Sequence, residues 1–108
     1  MQLSEIILKK LRFHGGKERA LARCDLLAYL RQIADPGLSD RWMRRVYENL
    51  PICTCADGLF IPVNKYEVDE YERYLNKKLP PWKGREKISR LRQAYPELWQ
   101  NRQLELWL

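Results

Sequence analysis

Three arginines fall within five residues, at Arg41, Arg44 and Arg45, directly after Ser39 and Asp40 and shortly before Asn49. A guanidinium stays charged at any relevant pH and donates two parallel hydrogen bonds to a guanine edge or to a phosphate, so this cluster suits contact with a nucleic acid. The competing reading is a solvated helix face on which the same arginines pair with Asp40 and Glu48 and contribute little.

Other chemistry-bearing residues are less organised. Cys24, Cys53, Cys55 and His14 lack the paired Cys-x2-4-Cys knuckles of structural zinc sites, and the cysteines read as small buried apolar residues. Gly15-Gly16-Lys17 falls short of a phosphate-binding loop, and His14 has no nucleophile or carboxylate at motif spacing. No acid–base pair or nucleophile constellation emerges, so neither an enzyme nor a cofactor or metal is expected. Trp42, Tyr47, Tyr66, Tyr71 and Tyr74 could stack on single-stranded bases, but most of them lie at helical spacings that favour packing.

Composition agrees with a small globular binder. The 108 residues are 45% hydrophobic and 31% charged, which suits one folded domain with an appendage and excludes a disordered chain. Twenty Lys and Arg against fourteen Asp and Glu leave a net charge of +6, favourable to polyanionic partners. No apolar run reaches the ~18 to 20 residues of a membrane span and no signal peptide is evident, so a cytoplasmic protein without a membrane partner is expected. The three irregularly spaced cysteines fit a reducing compartment.

The elements that must position the arginines are legible from periodicity. Leu3, Ile6, Ile7 and Leu11 mark a first helix over about 4–13, stopped by His14, Gly15 and Gly16. A short strand can follow near 19–23. Leu26, Leu27, Leu30, Ile33 and Ala34 stripe a second helix of about eleven residues, closed by Asp35-Pro36-Gly37. Ser39 is an N-cap, Leu38 and Met43 form a hydrophobic staple, and a third helix runs over 39–50 to Pro51. Met43, Val46, Tyr47 and Leu50 make its buried face; at about 100° per residue, Arg41, Arg45 and Glu48 lie opposite, with Arg44 and Asn49 on the shoulders.

Beyond Pro51, the β-favouring runs 52–55 and 59–61 are joined by Ala56-Asp57-Gly58, a hairpin signal. Asn64 and Glu67 resemble a capping box, with Val63 and Val68 as a second staple, so a fourth helix begins near Lys65. Pro80 and Pro81 break it. A fifth helix then carries Ile88, Leu91 and Tyr95 on one side and Arg85, Lys87, Arg90 and Arg92 on the other. The fold class is mainly α with a small β-hairpin (α+β).

This order resembles the winged helix-turn-helix proteins encoded by bacteriophages and prophages, in which a helical tail follows the wing. The resemblance covers about 16–95 and rests on Ser39-Asp40-Arg41 opening a helix, Leu50-Pro51-Ile52-Cys53 leaving it and Gly58-Leu59-Phe60 returning along the wing. It implies a winged helix-turn-helix domain over 1–63, a C-terminal helical extension over 64–98 and a terminal peptide over 99–108. It further implies sequence-specific binding of double-stranded DNA, in replication or transcription control, with 39–50 as the recognition helix. Ser39, Arg41, Arg44, Arg45 and Asn49 would face the DNA. The wing tip carries Asp57 and no Lys or Arg, which departs from the pattern and shifts phosphate anchoring to Lys17, Arg19, Arg23 and Lys65. An exposed apolar edge on the last helices would favour a homodimer, and with it inverted half-sites ~34 Å apart.

Residues 103–108 resemble the peptide by which bacterial replication proteins dock on the sliding clamp. Gln103, Leu104 and Leu106 match, Glu105 takes the serine or acidic position, and Trp107 stands for the aromatic one. The glutamine amide would fix register while leucine and indole fill an apolar pocket. Two alternatives stay open: the tail covers the domain's own core, or the chain is an adaptor that joins the clamp to another protein.

Overall fold

In a computed structural model, which describes residues 2–98, five α-helices surround one hairpin: α1 (Leu3–Leu11), α2 (Arg23–Ile33), α3 (Asp40–Tyr47), β1 (Cys53–Cys55), β2 (Gly58–Phe60), α4 (Lys65–Lys78) and α5 (Pro81–Ala94). A 3-10 turn, Lys17–Arg19, lies between α1 and α2. The fold is thus mainly helical with a small antiparallel hairpin, the α+β class expected from the periodicities.

Two helix ends fall short of the sequence expectation. The first helix stops at Leu11 instead of Phe13, because Phe13 N–H and His14 N–H turn back to the carbonyls of Lys10 and Leu11, three residues away. Such bonds tighten and terminate a last turn. The third helix ends at Tyr47 and passes into a turn in which Leu50 N–H donates to the Tyr47 carbonyl at 3.0 Å. Pro51 disfavours helical backbone at Leu50, which accounts for the early exit.

The hairpin is built differently from a simple Asp-Gly turn. Cys53 pairs with Phe60, Thr54 with Leu59 and Cys55 with Gly58, so the loop is Ala56-Asp57 alone. Neither has positive φ, and the left-handed step falls on Gly58 at φ 138°. Gly58 takes this step while paired directly opposite Cys55, where a residue without Cβ is required. The strand expected near 19–23 reduces to Leu21, which exchanges both backbone hydrogen bonds with Leu59 at 2.8 and 2.9 Å. Just beyond β2, Ile61 accepts from Gly16 N–H at 2.9 Å and donates to the His14 carbonyl at 3.2 Å.

Successive residues on a strand face opposite sides, and the hairpin uses this to join two cores. Leu59 is buried with Ile7, Leu11, Leu26, Leu30, Leu38, Met43 and Ile52, the core formed by α1, α2 and α3. Its neighbours Cys53 and Phe60 are buried with Val68, Tyr71, Leu75, Ile88 and Leu91, the core formed with α4 and α5. The helical extension therefore shares the hairpin as its floor. Burial raises the Cys53 thiol far above its ordinary value, with Glu67 and Cys55 adding to the effect, and keeps it a neutral packing residue. Burial likewise pushes Tyr71 up to about 12.

Both N-caps read in the sequence form. Ser39 Oγ accepts from Trp42 N–H at 3.1 Å, and Asn64 Oδ1 accepts from Glu67 N–H at 3.0 Å. The Asn64 box closes differently from its template. Glu67 reaches past Asn64 to accept from Val63 N–H at 2.9 Å and from Lys17 N–H at 2.6 Å, pinning the 3-10 turn to α4. Leu38 and Met43 are buried in one core, as a staple requires, whereas Val63 stays 57% exposed above buried Val68. Val63 instead lies against Gly15 and Gly16, where a Cβ on Gly15 would meet its side chain at 3.2 Å.

Among the described residues no helix is long and apolar enough to cross a membrane.

Candidate nucleic-acid interface

The turn before α3 is held from three directions. Gly37 N–H donates to Asp35 Oδ1 at 2.9 Å, Leu38 N–H donates to the Asp35 carbonyl at 3.1 Å, and Arg31 Nε donates to the Leu38 carbonyl at 2.8 Å. Together with the Ser39 cap and the buried Met43 anchor, these fix where α3 starts and which way it faces. Ser39 thus has a structural duty at the head of the helix.

Around α3 the side chains sort into three sets. Met43 is fully buried, and Val46, Tyr47 and Leu50 pack partly against the same core. Burial raises the Tyr47 hydroxyl above its ordinary value, against the opposing influence of Arg23. Arg41 and Arg45 are exposed and point away from this stripe, without an ion pair among the described residues. Asn49 is exposed one turn further on, where its Nδ2 donates to the Arg45 carbonyl at 3.4 Å. Arg44 lies on one shoulder, where its Nε donates to Asp40 Oδ2 at 3.0 Å. The other oxygen of Asp40 faces Arg23 Nε at 3.2 Å. Of the three candidate arginines on α3, one therefore pairs with Asp40, as the solvated-face reading requires, and two do not among the described residues.

The four candidate phosphate anchors divide in the same way. Arg23 joins α3 through Asp40. Lys17 Nζ pairs with Glu70 at 2.6 Å, which raises the lysine and lowers the carboxyl from their ordinary values. Lys65 Nζ stands 4.0 Å from Asp69. Arg19 is exposed, and its carbonyl accepts from His14 Nδ1 at 2.8 Å. Lys17 and Lys65 thus lie along α4, apart from the α3 cluster.

Between α2, α3, the hairpin and the last two helices opens a cleft of about 780 Å³. Arg23, Arg44, Lys78 and Lys87 line it, against Asp40, Glu48 and Asp57. Lys87 Nζ and Arg90 Nη1 both donate to the Glu48 carbonyl, at 3.1 and 3.3 Å, and so hold the end of α3 against α5. Burial lowers Lys87 from its ordinary value despite the nearby Glu48 carboxylate. The basic face of the fifth helix was legible in the sequence, but its tie to α3 was not, because the partners are 39 and 42 residues apart.

The aromatic residues correct one expectation. Tyr71 is buried and Tyr47 half-buried, as packing requires, but Trp42, Tyr66 and Tyr74 are 55%, 84% and 45% exposed. Trp42 lies about 100° round the helix from Met43, outside the stripe that reaches the core.

Among the described residues no group of three or more His, Cys, Asp or Glu is placed to hold a metal ion. The clamp-motif residues Gln103, Leu104, Leu106 and Trp107 lie outside the described residues. Comparison with protein-family models, with curated proteins and with solved structures finds no match to this chain.

Proposed function

We propose that this chain binds double-stranded DNA sequence-specifically, with α3 as the recognition helix of a winged helix-turn-helix of the bacteriophage and prophage type, in control of replication or transcription. The observation that carries the reading is the outward ridge of Arg41 and Arg45, two exposed guanidinium groups on a helix whose start is capped and whose far side is buried. Guanidinium groups held in this way are ready to donate to base edges or phosphates. Arg23 and Arg44 add charge beside the ridge, and on contact with DNA their exposed pairing with Asp40 can be exchanged for phosphate at small cost. Arg19 serves as a further backbone contact. The acidic Asp57 keeps the hairpin loop from the backbone. No catalytic step belongs to this reading.

The test is selection of a preferred duplex from a random pool, followed by affinity measurements across salt concentrations. Binding through about six phosphates loses on the order of a thousandfold in affinity between 50 and 200 mM salt. Affinity that is independent of salt, or equal for the selected and scrambled duplexes, would rule the proposal out.

The terminal residues 103–108 support a second reading, an adaptor that docks on the replication sliding clamp. Deletion of these residues is expected to abolish binding to purified clamp while leaving duplex affinity unchanged. Undiminished clamp binding after the deletion would remove the adaptor reading.

A further inference from the structure

Trp42 occupies a position that folding does not account for. It stands in the first turn of α3 beside fully buried Met43, yet more than half of it is exposed to water. Among the described residues it takes part in no ring stacking or cation–π contact. Its root is fixed, because its own N–H donates to the capping Ser39 hydroxyl. At about 100° per residue the indole lies on the shoulder of the Arg41 and Arg45 ridge, on the same side as Asn49 and opposite Arg44. One edge of α3 thus combines two cations without an ion pair among the described residues and a large, partly exposed apolar ring rooted at the helix cap.

We propose that Trp42 is a base-contacting residue that recognises thymine through its C5-methyl group, next to the bases or phosphates met by Arg41 and Arg45. This inference rests on the DNA-binding reading of α3. The chemistry follows from what the major groove presents. Its base edges offer donors and acceptors, which suit arginine, and its main apolar feature is the thymine methyl, which suits a ring. An indole more than half exposed gains by covering that methyl, and its placement in the first helical turn puts it where a recognition helix approaches base edges. The arrangement would read a thymine close to a guanine, in place of a run of guanines alone.

The decisive experiment replaces each thymine of the selected duplex in turn by uracil, which removes the methyl and leaves the pairing edge intact. Wild-type protein is expected to lose about three- to fivefold in affinity at one thymine, the value of one buried methyl. Trp42→Ala is expected to bind the thymine and uracil duplexes equally at that position, and Trp42→Leu to restore part of the preference. Thermal melting should show both variants folded, since the side chain is largely exposed. The inference is overturned if uracil costs nothing at every position, or if Trp42→Ala keeps the full preference. In either case duplex binding that still depends on Arg41 and Arg45 leaves the reading of α3 standing. Wild-type protein that binds no duplex removes both.

Discussion

Gly58→Ala is expected to destabilise the protein by about 3 kcal/mol or more, the largest effect of any single small substitution outside the helical cores. An alanine Cβ at this position would lie 2.0 Å from the Leu21 carbonyl oxygen and 2.9 Å from the Ala22 Cα. Both are backbone atoms that no rotamer change can move. The glycine also sits at φ 138°, where L-residues are strained. Relief requires the chain around Leu21 to withdraw, which breaks its two hydrogen bonds to Leu59. Because Leu59 belongs to one core and its neighbour Phe60 to the other, the disturbance reaches both. For a chain of this size, ~3 kcal/mol corresponds to a fall in Tm of at least about 12 °C. A melting temperature within a few degrees of wild type would show that the Leu21 segment is not held as described.

The double substitution Arg41→Ala with Arg45→Ala is expected to weaken binding to the selected duplex by about 2 to 6 kcal/mol while leaving stability within about 0.5 kcal/mol. Each arginine with a bidentate base contact accounts for about 1–3 kcal/mol of discrimination, and among the described residues neither is tied to a carboxylate. If an arginine meets phosphate, its removal weakens all duplexes alike and reduces the salt slope by about one; if it meets a base, specificity at that position relaxes. Arg44→Ala is the informative comparison. Its guanidinium already shares Asp40 with Arg23, and its loss returns that carboxylate wholly to Arg23, so a smaller change is expected. Fluorescence anisotropy with selected and scrambled duplexes separates these outcomes. An unchanged affinity in the double variant would mean that α3 is a solvated helix face and that any DNA contact lies elsewhere.

The parts of this protein determined by its sequence alone are those governed by residues up to five positions apart. Ser39 and Asn64 as caps, Leu38 with Met43 as a staple, Gly15 and Gly16 as breakers and the prolines at 51, 80 and 81 all act locally, so their effects follow from spacing. The outward direction of Arg41 and Arg45 follows too, because helix periodicity relates them to the buried Met43 stripe. Helix ends were less legible, since the turn at Leu50 balances a local hydrogen bond against the following proline.

What only the tertiary structure decided involves partners far apart in the chain. Glu67 keeps one oxygen for Val63 at the start of α4 and gives the other to Lys17 N–H, fifty residues away. Asp40 neutralises Arg44 but also Arg23, which α2 carries to the same place. The hairpin's two faces join two cores only because three helices lie on one side and two on the other. Trp42, one of the aromatic residues most of which were expected to pack, is 55% exposed beside the buried Met43 stripe. Periodicity shows which side chains share a face; the packing of the other elements determines whether that face meets protein or water.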